Sequence, residues 1–160
     1  MTDDEAAAIT VSRVLDATPE RVWQVIAEPR SAPHWWGPRG CIATVQKMDL
    51  RPGGEWQFAM NAYGLATFQN RSVFTEVVEH RRIVYTNGAG RQGRSMSDFE
   101  SSLILEPEDD GSRTGMTIRV AFATAFFRDQ FARKYKAVQG GEQTLDRLAG
   151  YLAETAAGAG

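Results

Sequence analysis

From Cys41 to Phe122 apolar and polar residues alternate with a period of two. Trp56, Phe58 and Met60 are interleaved with Glu55, Gln57, Ala59 and Asn61, and Met116, Ile118, Val120 and Phe122 with Gly115, Thr117, Arg119 and Ala121. Phe99, Leu103 and Leu105 share a further apolar face, with Asp98 and Glu100 opposite. One apolar and one wetter face per strand predicts an antiparallel sheet covered on one side. Turn residues punctuate the runs at Pro52-Gly53-Gly54, Tyr63-Gly64, Asn87-Gly88 and Asp109-Asp110-Gly111, dividing the region into about six strands. A shorter β-like run, Ile9 to Leu15, precedes them.

Helical spacing brackets the sheet. Thr18 is a good N-cap, and Pro19 suits the first helical position, where its missing N–H costs nothing. Arg21 stands where a capping box wants Glu, so only half of that signal is present. Val22, Trp23 and Ile26 give this first helix an apolar face. Pro29, Pro33 and Pro38 chop the next stretch into short pieces, with a helical turn predicted around Ser31–Trp35. Near the C-terminus Phe127, Phe131, Tyr135 and Val138 step by four, four and three, and Leu145, Leu148 and Leu152 continue the stripe. This predicts one long amphipathic helix, whose only apolar partner is the buried face of the sheet. Gly140-Gly141 interrupts it. Each glycine costs a helix about 1 kcal/mol relative to alanine, so a kink, or open space beside the helix, is expected there. The order is strand, two short helices, six-strand meander, long helix: an α+β chain.

With 160 residues the chain is long enough for one domain with a real core. That domain is assigned to 9–154, with a loosely ordered N-terminus at 1–8 and a flexible alanine- and glycine-rich tail at 155–160. A net charge of -2 gives no basic face for nucleic acid. No apolar run approaches the roughly 20 residues that span a bilayer. The start, Met1-Thr2-Asp3-Asp4-Glu5, is acidic rather than signal-like, and the single Cys41 excludes an internal disulfide. Both fit the reducing cytoplasm.

Motifs that could carry chemistry fail one after another. Gly88-Ala89-Gly90-Arg91-Gln92-Gly93 spells a dinucleotide-binding pattern, but a helix must follow it, and Met96–Leu105 reads as strand. His34, His80 and Cys41 have no zinc-ligand spacing. Asp98 and Glu100 are two residues apart but lie opposite Phe99, which is the better interior residue. There is no GxSxG elbow. No catalytic residue, metal ligand or cofactor is therefore assigned. The aromatic residues remain. Trp36, Trp56, Phe58, Phe68, Phe74, Tyr85, Phe99, Phe131 and Tyr135 can converge between sheet and helix, where Gly141 leaves room. Tyr85, Tyr135 and Gln57 are the candidates for polar contacts in such a pocket.

Several segments in this order resemble one family. Ser12-Arg13-Val14-Leu15-Asp16-Ala17 runs into Pro19-Glu20-Arg21-Val22-Trp23. Then come Trp35-Trp36-Gly37-Pro38, Asp49-Leu50-Arg51-Pro52-Gly53-Gly54-Glu55-Trp56 and Gln143-Thr144-Leu145-Asp146-Arg147-Leu148. Over roughly residues 9–153 the chain resembles the START-like superfamily, within it the relatives of the C-terminal domain of the activator of the Hsp90 ATPase. The resemblance implies a helix-grip (START/Bet v 1-like) fold: a curved antiparallel sheet wrapped around a long C-terminal helix, with an internal apolar cavity. Many relatives carry an aromatic at the position of Gly141, so the glycine implies a more open cavity. Three readings stand: a domain binding a small apolar or amphipathic molecule, an Hsp90-type chaperone-linked module, and a cavity enzyme of cyclase or hydrolase type. The last has the least support, because it needs a polar residue held in the pocket with a shifted pKa, and the sequence offers none.

Overall fold

The computed structural model describes residues 2–158. The expected looseness of residue 1 and of the last two residues lies outside it. Thr2 caps a one-turn helix α1 (Asp3–Ala6), which leads into β1 (Ala8–Leu15). Thr18 caps α2 (Pro19–Ile26) by accepting from the Arg21 N–H, as the local sequence predicts. A 3-10 turn at Pro29–Ser31 and the short α3 (Ala32–Trp35) follow. Six strands complete the sheet: β2 (Cys41–Met48), β3 (Glu55–Ala62), β4 (Ala66–Val78), β5 (Arg82–Asn87), β6 (Phe99–Glu108) and β7 (Arg113–Phe122).

All strand pairs are antiparallel, in the order β1-β7-β6-β5-β4-β3-β2. β1 and β2 are therefore the two edges, and α2 and α3 carry the chain from one to the other. Register shifts at Val45/Lys47 and Phe74/Glu76 mark bulges, which bend strands and increase twist. The sheet curls into a half-barrel. The register gathers Ile9, Val11, Met116, Ile118, Leu103, Leu105, Ile83, Tyr85, Phe74, Trp56 and Phe58 on its concave face, and all of them are buried.

The expected single C-terminal helix is two. α4 (Ala125–Tyr135) ends at Lys136, whose φ of 50° is left-handed, and α5 (Ala137–Gly158) begins directly after it. The expected break at Gly140-Gly141 is absent, because α5 runs through both residues. The glycines serve close approach instead. A Cβ at Gly141 would stand 2.8 Å from Val11 Cγ2, and one at Gly140 3.3 Å from Pro38 Cγ. Missing side chains thus let the helix sit down on β1; they do not open a cavity. Leu145, Leu148 and Leu152, each at most 4% exposed, then reach the core, where burial of such a side chain is worth about 1.5–3 kcal/mol.

Two devices fix the segments between β1 and β3. Gly54 lies where any Cβ would fall 1.9 Å from the Asp49 carbonyl oxygen. Its carbonyl accepts from the Phe74 N–H at 2.9 Å, and the Gly53 N–H donates to the Phe74 carbonyl at 2.7 Å, which pins the turn to β4. The Arg147 guanidinium of α5 donates to the carbonyls of Pro33 (3.1 Å), Trp36 (3.4 Å), Gly37 (2.9 Å) and Pro38 (3.1 Å). Burial lowers its pKa somewhat from the ordinary value, but an arginine stays charged.

Two outcomes are expected. Arg147→Lys loses about 2 kcal/mol or more in urea unfolding, because a point charge cannot serve four carbonyls and hydrogen bonds to charged groups carry about 1.5–3 kcal/mol each. Gly141→Ala loses about 1 kcal/mol despite its better helix propensity, since the clash with stiff Val11 outweighs the gain. In a Val11→Ala background the same change becomes stabilising, and the double-mutant cycle reads the coupling.

Candidate functional site

The concave face carries two aromatic clusters. Trp56 is the hub of the first. Its ring centroid lies 5.3 Å from Trp36, 5.0 Å from Phe58, 5.8 Å from Phe74 in a near-parallel stack, and 5.1 Å from Tyr85 edge-on. Trp35 joins through Trp36 at 5.3 Å. The second cluster lies toward α4. Phe131 packs 5.5 Å from Phe99, 5.1 Å from Phe122 and 4.9 Å from Tyr135.

Eight of the ten residues expected at an interior site sit in or beside these clusters. Trp56, Phe58, Phe74 and Tyr85 are buried, and Trp36, Phe99 and Phe131 are partly buried. Gly141 abuts Val11 and lines no open space. Two residues lie outside the grip. Phe68 shares the concave register with Met60 but is 58% exposed, because the tip of the β3–β4 hairpin is left uncovered. Tyr135 touches Phe131 but is 52% exposed at the end of α4, so it cannot serve as a buried polar contact. Gln57 donates to Glu55, its neighbour on the other face, and does not point inward. Phe122 and Ser101 were missed. The alternation through Phe99, Leu103 and Leu105 includes Ser101 on the same face, but a serine does not stand out in an apolar stripe.

Polar atoms on this face are few, and their pairing is uneven. The Trp35 indole N–H donates to Ser31 Oγ at 3.0 Å, and that hydroxyl donates to main-chain carbonyls of Val25 and Glu28. Trp56 Nε1 is buried without any hydrogen-bond partner, and Ser101 Oγ, also buried, has only a weak contact with the Tyr85 hydroxyl. Both flank Tyr85, which stands opposite Ser101 in the β5–β6 register and edge-on to Trp56. Burial pushes the Tyr85 phenol up to about 12, with the adjacent Ser101 hydroxyl pulling slightly the other way.

Other candidates resolve as structure. The Gly88–Gly93 segment is a hairpin loop with a 3-10 turn and opens no helix. Asp98 lies just before β6, not on it, and organises that loop by accepting from the N–H groups of Ala89 (3.0 Å) and Arg94 (3.1 Å). These bonds, the first foremost, lower its pKa. His34 stacks on Tyr151 at 5.1 Å, and Cys41 is buried. Among the described residues no group of three His, Cys, Asp or Glu is placed to hold a metal ion. Among the described residues no helix is long and apolar enough to cross a membrane. Two hollows of about 540 and 220 Å³ open on the surface. The larger lies between β1 and α5, where Arg13 and Arg39 both pair with Asp146. Neither hollow reaches the aromatic clusters.

The sequence profile of the family described as Activator of Hsp90 ATPase homolog 1-like protein matches residues 16–153. The chain belongs to this family. Solved structures of similar shape include a protein from Nitrosomonas europaea, 23% identical with a TM-score of 0.81, covering 97% of this chain and 99% of that one. A protein from Arthrobacter aurescens is likewise 23% identical with a TM-score of 0.81, over 96% of this chain and 90% of that one. The AHSA1-like protein from Aeromonas hydrophila is 20% identical with a TM-score of 0.66, over 92% and 94%. At these identities the likeness establishes the helix-grip fold and nothing more specific. No curated protein matches the chain.

The buried phenol makes a pH prediction. A folded-state pKa near 12 against an unfolded value of 10 means that the native state holds the proton longer. Stability is complete below pH 10 and falls as pH rises toward 12, by about 2–3 kcal/mol for a shift of this size. Denaturant unfolding of Tyr85→Phe should lack this part of the alkaline loss.

Proposed function

We propose that this domain binds a small apolar or amphipathic molecule between the concave face and its helices. One observation carries the reading: Trp36, Phe99 and Phe131 are only partly buried although they lie within the grip, beside the buried Trp56, Phe58, Phe74 and Tyr85. Sites for small molecules are mostly apolar with a few placed polar groups, and this face has that composition.

Entry past the buried aromatic hub calls for a moving part. α4 suits that role. None of its residues is fully buried, and it joins α5 through the single left-handed residue Lys136. Its displacement would uncover Phe99 and Phe122 while leaving α5 and its leucines in place. Elements with few buried contacts are those that open at low cost. A cytoplasmic location suits the one free cysteine.

Titration with the neutral probe N-phenyl-1-naphthylamine should give saturable one-to-one fluorescence enhancement, and Trp36→Ala should weaken it at least about fivefold, a loss typical of an aromatic contact. No response to this probe or to a panel of fatty acids, sterols and aromatic metabolites, followed by tryptophan emission, would refute the reading. Family membership favours a second reading, contact with an Hsp90-type chaperone. It requires co-purification with the chaperone and a changed ATPase rate; neither effect at micromolar concentration would exclude it.

A further inference from the structure

Two buried polar atoms on the concave face lack a well-formed hydrogen bond, and both border one tyrosine. Trp56 is 5% exposed and Ser101 1%, yet the indole N–H makes no hydrogen bond and the serine hydroxyl has only a weak contact with the Tyr85 hydroxyl. The Tyr85 side chain, 6% exposed, lies between them: edge-on to Trp56 at 5.1 Å and cross-strand neighbour of Ser101. An unmade hydrogen bond in an apolar interior is costly, and buried polar groups are nearly always paired. The same protein shows the ordinary solution at Trp35, whose N–H is met by Ser31. Trp56 differs in facing the grip.

We infer that Trp56 Nε1, Ser101 Oγ and the Tyr85 hydroxyl form the polar end of the interior site and receive a neutral carbonyl oxygen of a flat, apolar ligand. The inference rests on the interior-site reading above and specifies its ligand. An indole N–H only donates, so its partner must present an acceptor. A carbonyl oxygen has a second lone pair, which the hydroxyl of Ser101 or of Tyr85 can meet. The hub around Trp56 consists of Trp36, Phe58, Phe74 and Tyr85, none of them charged. A carboxylate would enter without a counter-charge and lose its hydration, whereas a ketone, ester or amide oxygen would not. Rings carrying that oxygen can lie against Trp36 and reach toward Phe99 and Phe131, since Ser101 occupies the seam between the clusters: Phe99 is two residues away on the same strand face, and Val120, its cross-strand partner on β7, is only partly buried.

The test uses three naphthalenes of one shape: 2-acetylnaphthalene, its isostere 2-isopropenylnaphthalene, in which CH2 replaces the oxygen, and 2-naphthoate. Affinities come from calorimetry, and the Trp56 indole N–H is followed by 1H–15N NMR, assigned with Trp56→Phe. The ketone should bind about tenfold or more tighter than the isostere, a ratio set by hydrogen bonding alone, and shift the indole N–H downfield. Trp56→Phe and Ser101→Ala should each bring that ratio close to one, while Leu65→Ala, at the exposed hairpin tip, preserves it. Ser101→Ala without ligand should raise Tm, because it removes a poorly paired buried hydroxyl; a lower Tm means that its contact with Tyr85 already satisfies it and overturns the assignment. Equal binding of ketone and isostere overturns the polar end but leaves the interior site standing. Tighter binding of naphthoate overturns the neutral-acceptor assignment. Binding of none of the three overturns both the polar end and the interior site.

Discussion

One guanidinium ties the last helix to the irregular segment that crosses from β1 to β2. That segment contains Pro29, Pro33 and Pro38, so its backbone cannot satisfy itself as a regular helix would. Arg147 supplies donors to four of its carbonyls from a single turn of α5. Much follows from this clamp. It fixes the Trp35-Trp36-Gly37-Pro38 turn, and the turn sets Trp36 against Trp56 and Phe58. Gly140 and Gly141 complete the arrangement by letting α5 approach Pro38 and Val11 closely enough for the arginine to reach. Sheet curvature, helix height and aromatic hub are thus one coupled solution.

The hub itself is built for stability except at two atoms. Phe74 within it, and Leu105 and Met116 farther along the same concave face, are at most 1% exposed, and packing of that kind tolerates neither voids nor unpaired polar groups. An alanine at Ser101 would serve such a core at least as well. Retaining a hydroxyl and an indole N–H beside a buried phenol costs stability, and the cost has a physical return only when an acceptor arrives. The helix over the second cluster has the complementary property. α4 covers Phe99 and Phe122 but buries none of its own residues completely. A rigid floor with polar atoms at its centre and a weakly held cover at one end are the two features on which the functional reading rests.

Much of this was legible in the chain. Strand alternation survived because each strand has one covered face, and period two is a local signal that tertiary context reinforces. The N-cap at Thr18 and the proline-cut turns were legible for the same reason, being properties of a few adjacent residues. What misled was spacing without depth. Phe131 and Tyr135 belong to one helical stripe, yet Phe131 packs inward while Tyr135 is 52% exposed, since α4 ends there. Phe68 has the right register and the wrong height, because the tip of the β3–β4 hairpin is left uncovered. Asp98 reads as part of a strand but bonds back to the loop that precedes it. The break at Lys136 carries no residue signal at all: a lysine in the left-handed region is chosen by where α4 and α5 must dock.

The sequence by itself determined the family, the strand and helix order, and which residue types face inward, because these depend on periodicity and on turn chemistry within a few residues. Only the tertiary structure decided what the tryptophans and glycines are for. Trp35 has a partner and Trp56 has none, a difference set by a serine four residues away in one case and by three strands meeting in the other. Gly141 was expected to make space and instead consumes it, since whether a missing side chain leaves a hole depends on how far the neighbouring element moves in. Both outcomes are properties of packing between distant segments, to which local spacing is blind.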